Sequence, residues 1–154
     1  MPIKNTHALL ARLIAERAES AWLEFKQNNS DPEMIGRCVS ACANGAILAG
    51  KERAFIVFGI ENGSKKKVGT AVRLTEMTKG GENFQNWLTR MLEPRLMIEF
   101  LDFEEDGLRF SIITIEPSYD RQDLGMLLPL RRPVAQARLH DQYDASGSFQ
   151  AEFD

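Results

Sequence analysis

Histidine and cysteine are scarce in this 154-residue chain, with two of each. Cys38 and Cys42 stand four apart inside a segment of helical periodicity, which puts both on one face. They form neither a CxxC pair nor half of a zinc site, so buried thiols are expected. His7 and His140 lie in terminal segments with no ligand-like spacing around them, which argues against a histidine-based active site. No apolar run approaches the roughly 20 residues of a membrane span, so no membrane partner is expected. Met1-Pro2-Ile3-Lys4-Asn5 lacks the apolar stretch of a secretory signal, which makes the expected location cytoplasmic. An excess of positive charge is also missing. The net charge is −3, which weighs against a protein that coats nucleic acid, since non-specific affinity comes from Lys and Arg neutralising phosphates. Residues 1–118 carry nearly equal numbers of acids and bases, and a near-neutral body can still present one basic face.

What is present is ordinary for a globular domain: 44% hydrophobic and 27% charged residues, in a chain long enough for one sizeable core. Residues 7–18 are rich in helix formers, and Leu9, Leu10, Leu13 and Ile14 make one apolar stripe. A strand is expected at about 22–26. Asp31 as N-cap, Pro32 and Glu33 open a second helix running to about Asn44, with Ile35, Cys38, Val39 and Cys42 on one face and Gly45 as its left-handed cap. Ala54–Ile60 is a continuous apolar, β-branched and aromatic run, the pattern of a central strand buried on both faces. Asn62-Gly63 favours a tight reversal, with Val68-Gly69-Thr70 as a short partner strand. A third helix covers Glu82–Leu92, with Phe84, Trp87, Leu88, Met91 and Leu92 on one face. Leu96–Phe103 and Leu108–Glu116 flank Glu104-Glu105-Asp106-Gly107 as a hairpin. The order predicts a single compact α+β domain over 1–118, with a mixed or antiparallel sheet and about three helices. Residues 119–154 lack sustained periodicity; a poorly ordered tail, or one adding only a short element, is expected there.

Chemistry concentrates in Glu19-Ser20-Ala21-Trp22-Leu23-Glu24-Phe25-Lys26. Alternation along the strand sends Leu23 and Phe25 to one face and Trp22, Glu24 and Lys26 to the other. The plain reading is a surface strand with a solvated Glu24–Lys26 pair of little energetic weight. The functional reading is acid-x-Lys, a spacing used by metal-dependent nucleases: carboxylates hold divalent ions that activate water, and a lysine offsets developing negative charge. Glu19, across the expected bend, and Glu61, at the end of the central strand, are the further candidate ligands, and Mg²⁺ or Mn²⁺ the candidate metals. Lys65-Lys66-Lys67 is a basic run in a hairpin loop, either a solvated turn or a phosphate contact, with Arg53 and Lys51 expected nearby. Gly45–Glu52 nearly spells a phosphate-binding P-loop. It ends in Glu where a hydroxyl should hold magnesium, and it lies after a helix instead of after a strand.

Four separated segments together resemble the AlbA-type domain of the Schlafen superfamily. They are Glu19-Ser20 with Leu23-Glu24-Phe25-Lys26; Ile35 with Val39-Ser40-Ala41 and Ala43-Asn44; Ala54–Asn62; and Val68-Gly69-Thr70. The match runs in order over roughly 15–118. The resemblance implies an α+β fold, nucleic-acid (including DNA) binding and a place in transcription regulation, and in some members metal-dependent cleavage of tRNA and rRNA. It assigns catalytic and metal-binding roles by position to the carboxylates Glu19 and Glu24; the electrostatic role of Lys26 rests on the acid-x-Lys chemistry. Asn62 stands where the pattern has its last acid, and Glu61 is the nearest substitute.

Three functions are therefore expected to compete. The first is a nucleic-acid-binding domain using Lys26, Arg53, Lys65, Lys66 and Lys67. The second is a metal-dependent endoribonuclease using Glu19, Glu24 and Lys26. The third is a structural or oligomerising domain, in which an exposed sheet edge would favour a homodimer.

Overall fold

The computed structural model describes residues 5–16, 21–93, 96–117 and 138–139. Its centre is a four-stranded sheet in the order β1-β2-β7-β6. Strands β1 (Leu23–Lys26) and β2 (Ala54–Phe58) pair in parallel, joined by a crossover through helix α2 (Pro32–Leu48). Strand β7 (Leu108–Glu116) runs antiparallel to β2 and to β6 (Met97–Glu105). The β6–β7 hairpin turns on Asp106 (φ 53°) and Gly107 (φ 77°). Both central residues have positive φ, the turn that matches strand twist and that Asp-Gly favours.

Apolar side chains fill both faces of this sheet. Helix α1 (Thr6–Ile14) places Leu9, Leu10 and Leu13 against Leu23, Phe25, Phe55, Val57 and Ile112. On the opposite face, α2 and α3 (Phe84–Met91) set Ile35, Val39, Phe84 and Leu88 against Ile56, Phe58, Ile113 and Ile115. Strand β2 alternates between the two clusters and is buried at all five positions, as its unbroken apolar run requires. The structure is an α+β fold with three helices and a mixed sheet among the described residues.

Several boundaries differ from expectation. Helix α1 ends at Ile14, and residues 17–20 lie outside the described residues. Helix α2 continues through Gly45 to Leu48, so Gly45 is not its cap. The left-handed residue is Gly50 (φ 69°). Its N–H bonds to the Ile47 carbonyl at 3.1 Å, and the Lys51 N–H to that of Ala46 at 2.8 Å, the paired bonds of a Schellman turn. Gly45 is needed for another reason: a Cβ there would sit 2.0 Å from the Ala21 carbonyl oxygen. Residues 68–70 form no strand. Only Ile60 and Lys67 bridge, and Gly69 (φ 78°) bends the chain away. Helix α3 starts at Phe84, because Asn83 caps it by accepting from Gln85 and Asn86, while β4 (Glu82–Asn83) pairs with β3 (Thr78–Lys79). A 3-10 turn at Leu74–Glu76 had no sequence signal. Strand β5 (Leu92–Glu93) pairs with β8 (Arg138–Leu139), the described part of the tail; its other residues lie outside the description.

Candidate nucleic-acid interface

Strand β1 is not a surface strand. Glu24 is 6% exposed and Lys26 is fully buried. The period-two alternation is correct, but the face assigned to solvent is covered. Glu24 pairs in register with Ile56 and Lys26 with Phe58, so both charged side chains lie on the face that carries α2 and α3. Side chains two apart on a strand share a face, so two ionisable side chains are buried on the same face. Such burial is costly for either charge alone, and a charge of opposite sign beside it offsets part of the cost. Lys26 therefore offers no ammonium at the surface. Glu19 lies outside the described residues. Glu61 follows β2 in the next loop, half-buried, where its Oε1 accepts from Ser64 Oγ at 3.1 Å. Among the described residues no three His, Cys, Asp or Glu side chains gather as metal ligands. Glu24 and Glu61 do not by themselves make a divalent-metal site.

The loop after β2 presents the lysine run. The Glu61 N–H bonds to the Lys66 carbonyl and the Lys65 N–H to the Glu61 carbonyl, both at 2.9 Å, and Lys65 takes φ 59° to close the turn. Lys66 and Lys67 are exposed and Lys65 half-buried. Lys67 Nζ lies 2.5 Å from Glu105 Oε2, and His7 Nδ1 lies 2.9 Å from Glu105 Oε1. The hydrogen bond from Lys67, then that from His7, holds the Glu105 carboxyl below its usual pKa. Lys67 is thus partly neutralised, and Lys65 and Lys66 carry the loop's charge. Arg53 does not join them. It precedes β2 whereas the loop follows it, which sets about 17 Å of strand between them. Arg53 Nε instead lies 3.5 Å from Glu116 Oε1.

At Arg53's end of the sheet is a cleft of about 760 Å³ that sequence reasoning missed. Arg12 from α1, Trp22 at the entry to β1, and Lys51, Arg53 and Phe55 around the entry to β2 line it. Lys51 Nζ sits 5.1 Å from the Trp22 ring centroid, and the Arg12 guanidinium 5.9 Å from that of Phe55. The two rings meet edge to face, 6.5 Å apart. Glu16 and Glu52 also border the cleft. The Schellman turn after α2 delivers Lys51 here, a consequence of Gly50 that only the helix's true end reveals. Three elements distant in sequence build the cleft, and no local motif announces that convergence.

The remaining motif residues serve packing. A Cβ on Gly59 (φ 108°) would lie 2.7 Å from the Phe110 ring. The Val68 and Gly69 N–H groups both donate to the Gly59 carbonyl at 2.9 Å. Thr70 Oγ1 donates to the Gln27 carbonyl at 2.6 Å, which ties the loop after β1 to the turn that follows the lysine run.

The Schlafen AlbA_2 family model matches residues 19–140, and the chain belongs to that family. Solved structures are similar as well, two among them being the following. One is the DIP2311 protein of Corynebacterium diphtheriae, at 12% identity and TM-score 0.46, covering 73% of this chain and 22% of that one. The chain thus spans under a quarter of that protein's length. The other is the N-terminal domain of a RecG-related protein of Nitrosomonas europaea, at 21% identity and TM-score 0.46, covering 74% of each. No curated protein matches the sequence.

Proposed function

On the premise of that family membership, we propose that this chain is a nucleic-acid-binding domain acting within a transcription regulator. The match over residues 19–140 carries the reading. Loop cations support it: half-buried Lys65 and exposed Lys66 have no ion-pair partner among the described residues, and a loop that carries them suits phosphate contact. The side chains that bear the family's motif largely build the fold, so binding is assigned to surface cations and not to Lys26. The test is a titration of duplex and single-stranded nucleic acid against the chain and a Lys65→Ala/Lys66→Ala/Lys67→Ala variant across a salt series. Each lost phosphate contact should flatten the plot of log affinity against log salt by about 0.9 on duplex DNA and about 0.7 on single strands. Lys67 should contribute least. A parent chain that shifts no nucleic acid at low salt overturns the reading in favour of a structural or oligomerising domain.

A second reading, metal-dependent endoribonuclease, is favoured by one observation: the ionisable side chains of Glu24 and Lys26 are both buried on one strand face, where polar groups are costly to keep for packing alone. Glu19 and Glu61 are its other candidate residues, with Mg²⁺ or Mn²⁺ as the ion. Incubation with total tRNA, with and without Mn²⁺, should give fragments that Glu24→Gln abolishes. Fragments that persist in both chelator and variant exclude the assignment.

A further inference from the structure

The cleft beside α1 differs from the lysine loop in kind. Arg12 and Lys51 are exposed, and neither is ion-paired among the described residues. Several other cations on the described surface are paired with a carboxylate: Arg53 with Glu116, Lys67 with Glu105, Lys79 with Glu33 and Arg90 with Glu82. Arg12 and Lys51 lie against aromatic faces instead. Trp22 is half-buried and lines the cleft. A half-exposed indole beside exposed cations is a stacking platform, since the π-face of a base can take the place of the Lys51 ammonium over the ring and the displaced cation can grip the phosphate.

We propose, resting on the nucleic-acid reading above, that this cleft takes one unpaired nucleotide of a single strand, its base stacked on Trp22 and its phosphate held between Arg12 and Lys51. Charge sets the number. Arg53 is committed to Glu116, which leaves Arg12 and Lys51 to meet a phosphate, and Glu16 and Glu52 at the border disfavour a run of them. A duplex is a poor occupant, because its bases are already stacked and its two strands present only backbone to a cleft of this size. Stacking and one phosphate contact share the affinity, and with only one phosphate held salt should weaken this site less than the lysine loop.

The experiment uses the full chain with fluorescently labelled oligo-dT, oligo-U and a duplex, and reads anisotropy together with intrinsic tryptophan emission. The chain has two tryptophans, and Trp87 is only 7% exposed, so Trp22 dominates any quenching by a bound base. Both single strands, or one of them, should quench emission and bind more tightly than the duplex. Trp22→Leu should lower single-strand affinity by roughly tenfold or more. Arg12→Ala/Lys51→Ala alters only exposed residues and guards against misfolding of the tryptophan variant. It should lower affinity about as much, while changing the salt slope by no more than about 0.7, the equivalent of one phosphate. Affinity for oligo-dT over oligo-U, or the reverse, identifies the source of the strand. Single-strand binding that ignores both cleft variants but responds to Lys65→Ala/Lys66→Ala overturns this proposal and leaves the general function standing. No binding of any nucleic acid overturns both.

Discussion

Asp102 accepts four hydrogen bonds, and they decide its charge. The Leu74 and Thr75 N–H groups lie 3.2 and 3.0 Å from its carboxylate, Thr75 Oγ1 lies 2.7 Å away, and Ser111 Oγ donates as well. Ser111 faces it directly across the β6–β7 ladder. The carboxylate thus anchors the 3-10 turn at Leu74–Glu76 to the sheet. Burial pushes its pKa up, but the bonds from Ser111, Thr75 and Leu74 together outweigh burial and hold it below the ordinary 3.8. A folded-state pKa below the unfolded one gives stability that is fully present above the unfolded value and is lost as pH falls through the folded one. The chain should therefore be progressively destabilised below about pH 4. Asp102→Asn should cost about 1 kcal/mol at pH 7, the low end for a buried bond network because the group is half-exposed. Urea denaturation at pH 7 and at pH 3 checks this. The gap between parent and variant should narrow at pH 3; an equal gap at both would mean that the carboxylate's charge is not the source.

For the helices and strands, Gly45 sets two rules against each other. Alanine is the better helix former by about 1 kcal/mol in a helix interior, and Gly45 is interior to α2. An added Cβ would meet the Ala21 carbonyl at 2.0 Å and its carbon at 2.5 Å. These are backbone atoms at the entry to β1 and cannot swing aside. The clash should win, so Gly45→Ala should lower stability by about 1–3 kcal/mol, measured by thermal or chemical unfolding. A stabilised variant would show that Ala21 is free to move. Gly45 also marks what the sequence hides. The apolar run at Ala54–Phe58 and the Asp106-Gly107 hairpin are legible because their signals are local: side-chain type, turn chemistry and period. The end of α2 is not, since a glycine reads as a cap whether it serves φ or close approach. The burial of Glu24 and Lys26 is not legible either. Alternation says which side chains share a face, and only the tertiary fold says what covers that face. The convergence of Arg12, Trp22 and Lys51 was hidden for the same reason, whereas the lysine run could be read directly because it is contiguous.

Across the whole molecule, one sheet separates two cores, and the question is whether they unfold together. Strands β2 and β7 send alternate side chains to both sides: Phe55, Val57 and Ile112 toward α1, and Ile56, Phe58 and Ile113 toward α2 and α3. Removing one layer would leave the sheet's other face open to water, so each core supports the strands on which the other rests. Leu10 in the first core and Ile35 in the second are both fully buried. Leu10→Ala and Ile35→Ala should each cost about 2–5 kcal/mol through lost transfer energy and the cavity left behind. They share no packing cluster and lie on opposite faces of the sheet, so the double variant should equal their sum within about 0.5 kcal/mol. Each variant should still show one urea transition, with circular dichroism and tryptophan emission coincident. Trp87 lies in the second core and Trp22 touches both, so emission samples both layers. If the α1 layer were a separate unit, Leu10→Ala would split the transition, with helix lost before the Trp87 signal changes. That result would also bear on binding, because Arg12 reaches the cleft only while α1 is docked.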